Sequence, residues 1–244
     1  MRILAVDTST QAGGLAVLED RRIVKNVFER SDEEYSSRLF RQLDFLLQET
    51  QLRLSDFDFF AVSAGPGSFT SLRIGMTAVK AWAELYGTLI CPVSSLKAMA
   101  SQSQGGNLMV AAIMDARRGQ VFGGVFKRGE GRWDAIGEEV VSRPDEFLSE
   151  IAGRFSNRTD LPEAVQVSIV SPTPDILRAS LSGSAYQDLP IEKVSEDLAP
   201  WIGVLAFDMA QRGETVTALA LDANYIRRSD AELYWEDANA RSSG

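Results

Sequence analysis

Histidine is absent from these 244 residues. That omission removes the commonest general base near neutral pH, the Ser-His-Asp and Cys-His nucleophile systems, and every HExxH-type zinc site. Any catalysis would have to rest on carboxylates, lysines, hydroxyls and backbone amides. Cys91 is the only cysteine, so neither an internal disulfide nor a cysteine-rich metal site can form, which fits a reducing compartment. Positive charge is also short: 25 Lys and Arg against 34 Asp and Glu give a formal charge of −9. A stand-alone nucleic-acid binder needs clustered cations, so RNA contact would have to come chiefly from a partner. No apolar run approaches the roughly 18 residues of a membrane span. MRILAVDTST has too short an apolar stretch for a secretory signal and no cleavage pattern behind it. The expectation is a cytoplasmic protein with no membrane anchor.

What is present is a chain with 45% apolar residues, enough for one large core or two small ones. Residues 3–6 form an apolar run closing on Asp7, followed by the polar turn TSTQAGG and a second apolar run at 15–18. Residues 109–114 repeat the unit: they close on Asp115, pass through ARRGQ and resume as VFGGVF at 121–126. A strand-Asp-turn-strand unit occurring twice at long separation predicts two related half-molecules. Between the units, SDEEYSSRLFRQLDFLLQET (31–50) predicts a helix with acidic residues in its first turn. A strand at 59–64, a glycine loop, a helix to about Tyr86 and a strand near 88–91 follow. The cluster SQSQGGN (101–107) predicts a boundary, and 199–212 a late helix closed by Gly213. We therefore expect alternating α/β layers, with an N-terminal α/β subdomain at 1–105 joined by a returning segment within 196–230. A second subdomain at 106–195 and a polar tail at 231–244 complete the expected division.

The loop GPGSFTSLRIG (65–75) raises the sharpest functional question. Gly65, Pro66 and Gly67 allow a sharp turn off a strand end, and Ser68 or Thr70 can cap the helix that follows. Free amides at a helix start attract anions, so Gly65, Gly67 and Ser68 are candidate anion contacts. The stretch lacks both the Walker ending and the dinucleotide glycine spacing, however, and a plain turn with a capped helix explains the same letters. The helix itself carries Leu72, Met76, Val79, Ala83 and Tyr86 at 4-3-4-3 spacing, with further apolar residues around much of its circumference. One face can go to a sheet. The surplus must be buried by the 31–50 helix or by another subunit, and Gly75 and Ala78 would admit a close backbone.

Asp7, Thr8 and Ser9 could hold a magnesium-bound nucleotide phosphate, since hard oxygen ligands suit that ion; the same letters are ordinary hairpin chemistry. Asp115 with Arg117 and Arg118 could likewise face a phosphate, but reads first as a solvated turn with local ion pairs. No carboxylate pair has a spacing that marks an acid/base couple.

MRILAVDTST, AVSAGPGSFTSLRIGMTAVKAWA, PVSSLKAMA, MDARRGQVF and NYIRR, in that order, resemble the TsaB (YeaZ) family. The resemblance implies a duplicated actin-like or sugar-kinase ATPase fold built of two related mixed-sheet α/β subdomains. It implies a non-catalytic subunit for placing threonylcarbamoyl on the adenosine 3′ of the anticodon in tRNAs reading ANN codons. In that picture the catalytic paralogue TsaD is the heterodimer partner, TsaE is the partner ATPase, and tRNA is met through the complex. No cofactor is required by the subunit itself, with ATP and Mg implied for the complex, and a homodimer can form in isolation. The helical interface would comprise Tyr35, Leu39 and Leu43 with Leu72, Met76, Val79 and Ala83, so that Met76→Asp would cut partner binding in a folded domain. Two departures stand out: Ser71 replaces a common Gly, tightening the loop against a ligand, and Tyr35-Ser36 replaces a His-Ser pair. The alternative function is a stand-alone Mg-dependent ATPase or small-molecule kinase of the same fold, centred on Asp7.

Overall fold

Strand β1 (Arg2–Asp7) is buried at every residue after Arg2. Ile3 and Ala5 enter one core while Leu4 and Val6 enter another, because a strand covered on both faces needs an unbroken apolar run. The computed structural model describes residues 1–156 and 167–226; the polar tail expected at 231–244 lies outside the described residues.

β1 pairs antiparallel with β2 (Ala12–Glu19), which pairs antiparallel with β3 (Arg22–Arg30). On its other side β1 pairs parallel with β4 (Phe59–Gly65), and β4 parallel with β5 (Leu89–Ser94), giving the order β3-β2-β1-β4-β5. The second sheet is built from β6 (Met109–Arg117), β7 (Gln120–Gly129), β8 (Arg132–Ala135), β9 (Val140–Ser142), β10 (Val167–Ser171) and β11 (Ile191–Lys193). Its order is β11-β10-β6-β7-β8, with β9 also on β7. Read from the hairpin end, β8-β7-β6-β10-β11 repeats β3-β2-β1-β4-β5, antiparallel pairs and parallel pairs alike. This is the duplicated actin-like architecture.

Helices α1 (Tyr35–Thr50) and α2 (Phe69–Tyr86) lie side by side on one face of the first sheet. The short α3 (Ser95–Ala100) follows β5, and α4 (Pro144–Ser156) and α5 (Pro174–Ser180) accompany the second sheet. After β11 the chain enters α6 (Ala199–Gln211), which packs on β1, β2, β4 and β5 of the first sheet. Gly203 is what allows the close approach, since a Cβ there would collide with Leu18.

The helix expected from residue 31 begins at Tyr35, with no acidic residue in its first turn. Ser31 and Glu33 are held in a local turn, the Glu33 amide donating to Ser31 Oγ at 3.0 Å, while the Glu33 carboxylate pairs with Arg41 at 2.7 Å. Those bonds give the backbone an alternative to helix. Ser68 is the α2 N-cap, yet its side chain accepts no capping bond; it accepts from Ser71 Oγ instead at 3.0 Å. At the other end Gly87, at φ 66°, stops α2 with its amide on the Ala83 carbonyl.

Candidate functional site

The β1–β2 turn and the glycine loop meet. Gly67 sits against the Ser9 backbone so closely that no side chain would fit, and the Ser68 amide donates to the Ser9 carbonyl at 2.7 Å. Asp7, Thr8 and Ser9 are fully buried. Asp7 Oδ1 accepts the Ser9 amide at 2.9 Å, and the Thr8 amide donates to Ser63 Oγ at 3.3 Å. Asp7 Oδ2, Thr8 Oγ1 and Ser9 Oγ have no hydrogen-bond partner among the described residues. Burial pushes the Asp7 carboxyl above the usual range, and bonds from Ser9 and Ser63 hold it back in part. Nearby Asp197 is pushed up to about 6, by burial first and by the Asp7 charge second.

Asp7, Thr8, Ser9, Gly65, Gly67 and Ser68 are thus brought to one place, with Asp7, Thr8, Ser9 and Gly65 buried and the half-buried Gly67 and exposed Ser68 at its rim. The Ser9 carbonyl holds the Ser68 amide that an anion would need, and the Asp7 carboxylate has no access to solvent. These residues do not fit a magnesium-bound phosphate as they stand. Gly65, at φ 108° and joined to Pro66 by a cis peptide, is roofed by the Asn224 carbonyl, which a Cβ would approach to 2.8 Å.

Beside this turn a cleft of about 360 Å³ runs between the two halves. The first half contributes Ser9 and Phe69, the second Met114, Asp115 and Arg117. The second strand-Asp-turn unit therefore faces the first across the cleft. Asp115 Oδ1 accepts the Arg117 amide at 2.7 Å, and Arg117, Arg118 and Gly119 all have positive φ, which for the two arginines is strained backbone.

The seven residues expected at a subunit interface are placed inside this chain's own fold. Tyr35, Leu39, Leu43, Leu72, Met76, Val79 and Ala83 are all buried, and all but Leu72 join β1, β2 and β4 in one core. The apolar seam of α2 is covered by the chain's own sheet. Even Gly75 is used inside the subunit, against Thr8 rather than a neighbouring backbone. What remains outward is a different stripe. On α2, Arg73, Thr77, Ala81 and Leu85 recur every fourth residue and are exposed, Leu85 at 72%. On α1, Phe40 is 55% exposed, and Arg41, Asp44 and Phe45 share the outer side.

A family model described as "TsaD: tRNA N6-adenosine threonylcarbamoyltransferase" matches residues 23–219, most of the chain. The chain is 32% identical to the Escherichia coli (strain K12) protein named "tRNA threonylcarbamoyladenosine biosynthesis protein TsaB", over 64% of this chain and 69% of that one. It belongs to the TsaB (YeaZ) family. TsaB of Bacillus subtilis (strain 168) is 33% identical, over 62% of this chain and 64% of that protein. TsaB of Haemophilus influenzae is 29% identical over 99% and 98%. The solved structure of YeaZ from Pseudomonas aeruginosa superimposes with a TM-score of 0.74 at 25% identity, covering 92% of this chain and 99% of that one.

In this TsaB-family chain Tyr35 packs its ring against the Arg38 guanidinium at 3.8 Å and is buried, so it serves the core. Burial raises the Tyr35 hydroxyl pKa far above its ordinary value. Sequence reasoning did not single out Arg38, Asp197, Glu139 or Asn224. Apart from the stacking of Arg38 on Tyr35, their side-chain bonds run to partners distant in the chain, and no local pattern announces them.

Proposed function

We propose that this chain is the scaffold subunit of a complex that makes threonylcarbamoyladenosine in tRNA, binding a TsaD-type catalytic paralogue through the outer faces of α1 and α2. The modified base in this reading is the adenosine 3′ of the anticodon in tRNAs reading ANN codons. The observation that carries it is the outward stripe of Thr77, Ala81 and Leu85 beside Phe40 and Phe45: apolar and small residues on a helix pair whose inner faces are already filled. Exposed apolar groups in this arrangement mark a helix-packing surface awaiting a partner.

The subunit is non-catalytic in this reading. It has no histidine, its turn carboxylate Asp7 is sealed, and it requires no cofactor of its own; ATP, Mg and the ATPase TsaE belong to the complex. With formal charge −9, tRNA is met through the partner. Without that partner the same face would pair with a second copy. Light scattering on an equimolar mixture with the cognate TsaD tests the reading: a one-to-one complex supports it, and two unassociated species with and without nucleotide would sink it.

A further inference from the structure

Residues 222–226 run across the molecule without helix or strand and are tied to both halves. On the first half, the Asn224 amide donates to the Ala64 carbonyl at 2.7 Å. Tyr225 stacks on Phe69, the first residue of α2, at 4.8 Å between ring centres, and its hydroxyl accepts Arg73 Nε at 3.0 Å. The Arg73 guanidinium lies 3.7 Å from the Phe69 ring centre. On the second half, Asn224 Nδ2 donates to Glu139 Oε2 at 2.7 Å, and Glu139 Oε1 accepts the Ser94 hydroxyl. Ser94 in turn caps α3, accepting the Lys97 amide at 3.1 Å. Asn224, Tyr225 and Ile226 also line the cleft between the halves.

The holding contacts are the bonds and ring stack of Asn224 and Tyr225, with Ala223 packed against one core and Ile226 against the other. Upstream, Leu221 is buried, whereas Asn224 and Tyr225 are exposed. A segment without helix or strand, whose side-chain bonds come from the exposed Asn224 and Tyr225 and whose apolar anchors Ala223 and Ile226 are only partly buried, opens locally at lower free energy than the domain unfolds. Its release would free the Gly65 roof and the Phe69 stack together, loosening the start of the very helix whose outer face carries Arg73, Thr77 and Ala81.

We propose that residues 222–226 form a strap, latched by Asn224 on Glu139 and by Tyr225 on Phe69 and Arg73, whose release opens the cleft and unpins the first turn of α2. This goes beyond the scaffold reading and stands or falls without it. Closing the strap fixes the glycine loop and both cleft walls; opening it exposes them.

Hydrogen–deuterium exchange on the intact chain tests this with Asn224→Ala, Glu139→Ala and the double variant. Each single variant should speed exchange of the amides in 65–72 by roughly tenfold or more, the scale of one lost charge-assisted hydrogen bond. The double variant should be no faster than the single ones, and β1 and β6 should keep the wild-type rate. Tyr225→Phe, which loses only the Arg73 bond, should give a smaller rise in the same amides. The proposal is overturned if Glu139→Ala leaves 65–72 unchanged, if the two single effects multiply, or if β1 and β6 speed up equally, which would show general destabilisation.

Discussion

Gly75 of α2 lies directly over the Thr8 side chain: a Cβ at that position would stand 3.2 Å from Thr8 Cβ and well inside contact of Thr8 Oγ1. Thr8 is fully buried and β-branched, so it has no room to turn away.

Gly75→Ala should therefore destabilise the fold by about 1–3 kcal/mol through overpacking, even after the gain of up to about 1 kcal/mol that alanine brings to a helix interior. Thermal unfolding checks the sign. A variant melting at or above the wild-type temperature would show that α2 can move off the β1–β2 turn.

Arg38 is fully buried, and its guanidinium donates to the Gln11 carbonyl at 2.6 Å and the Glu29 carbonyl at 3.3 Å. Arg38→Ala strands both acceptors and removes the lid from the Tyr35 ring, so a loss of about 3 kcal/mol is expected in denaturant unfolding. Arg38→Lys should recover little, because an ammonium cannot reproduce the planar fork. Wild-type stability in either variant would contradict the tether.

Asp197 gives a pH signature with a definite sign. Its folded pKa, about 6, exceeds the ordinary value of 3.8, so between those values the folded state holds the proton that the unfolded state has released. Stability from this group thus falls as pH rises through that window. Asp197→Asn should melt higher than wild type at pH 8, while accepting the Asn26 amide bond as before, and the gap should close near pH 4. A gap that widens toward acid would overturn the assignment.

The sequence made the repeated strand-Asp-turn-strand unit visible because β1 and β6 are central strands whose runs are apolar throughout. β3 was harder to see. It is an edge strand with charged residues along it, and its Arg30 and Lys25 are placed by Glu196 and Glu49 far along the chain. The glycine loop was legible as a corner, but the Asn224 roof and the Ser9 carbonyl that close it come from other segments. The α2 seam was legible as apolar spacing alone. Spacing does not reveal which neighbour fills it, and here the sheet does, which leaves a different stripe of α2 facing outward.

That distinction can be measured. Met76, 5% exposed in the core, should unfold the protein when changed to aspartate, since an uncompensated charge cannot be kept there. Ala81→Asp and Leu85→Asp, on the outer face of α2, should melt like wild type. Calorimetric titration of the cognate TsaD into these two folded variants tests directly whether the outer face of α2 binds the partner. A loss of affinity of at least about tenfold, equivalent to about 1.4 kcal/mol, is expected in each; wild-type affinity in both would move the partner surface off the helix pair.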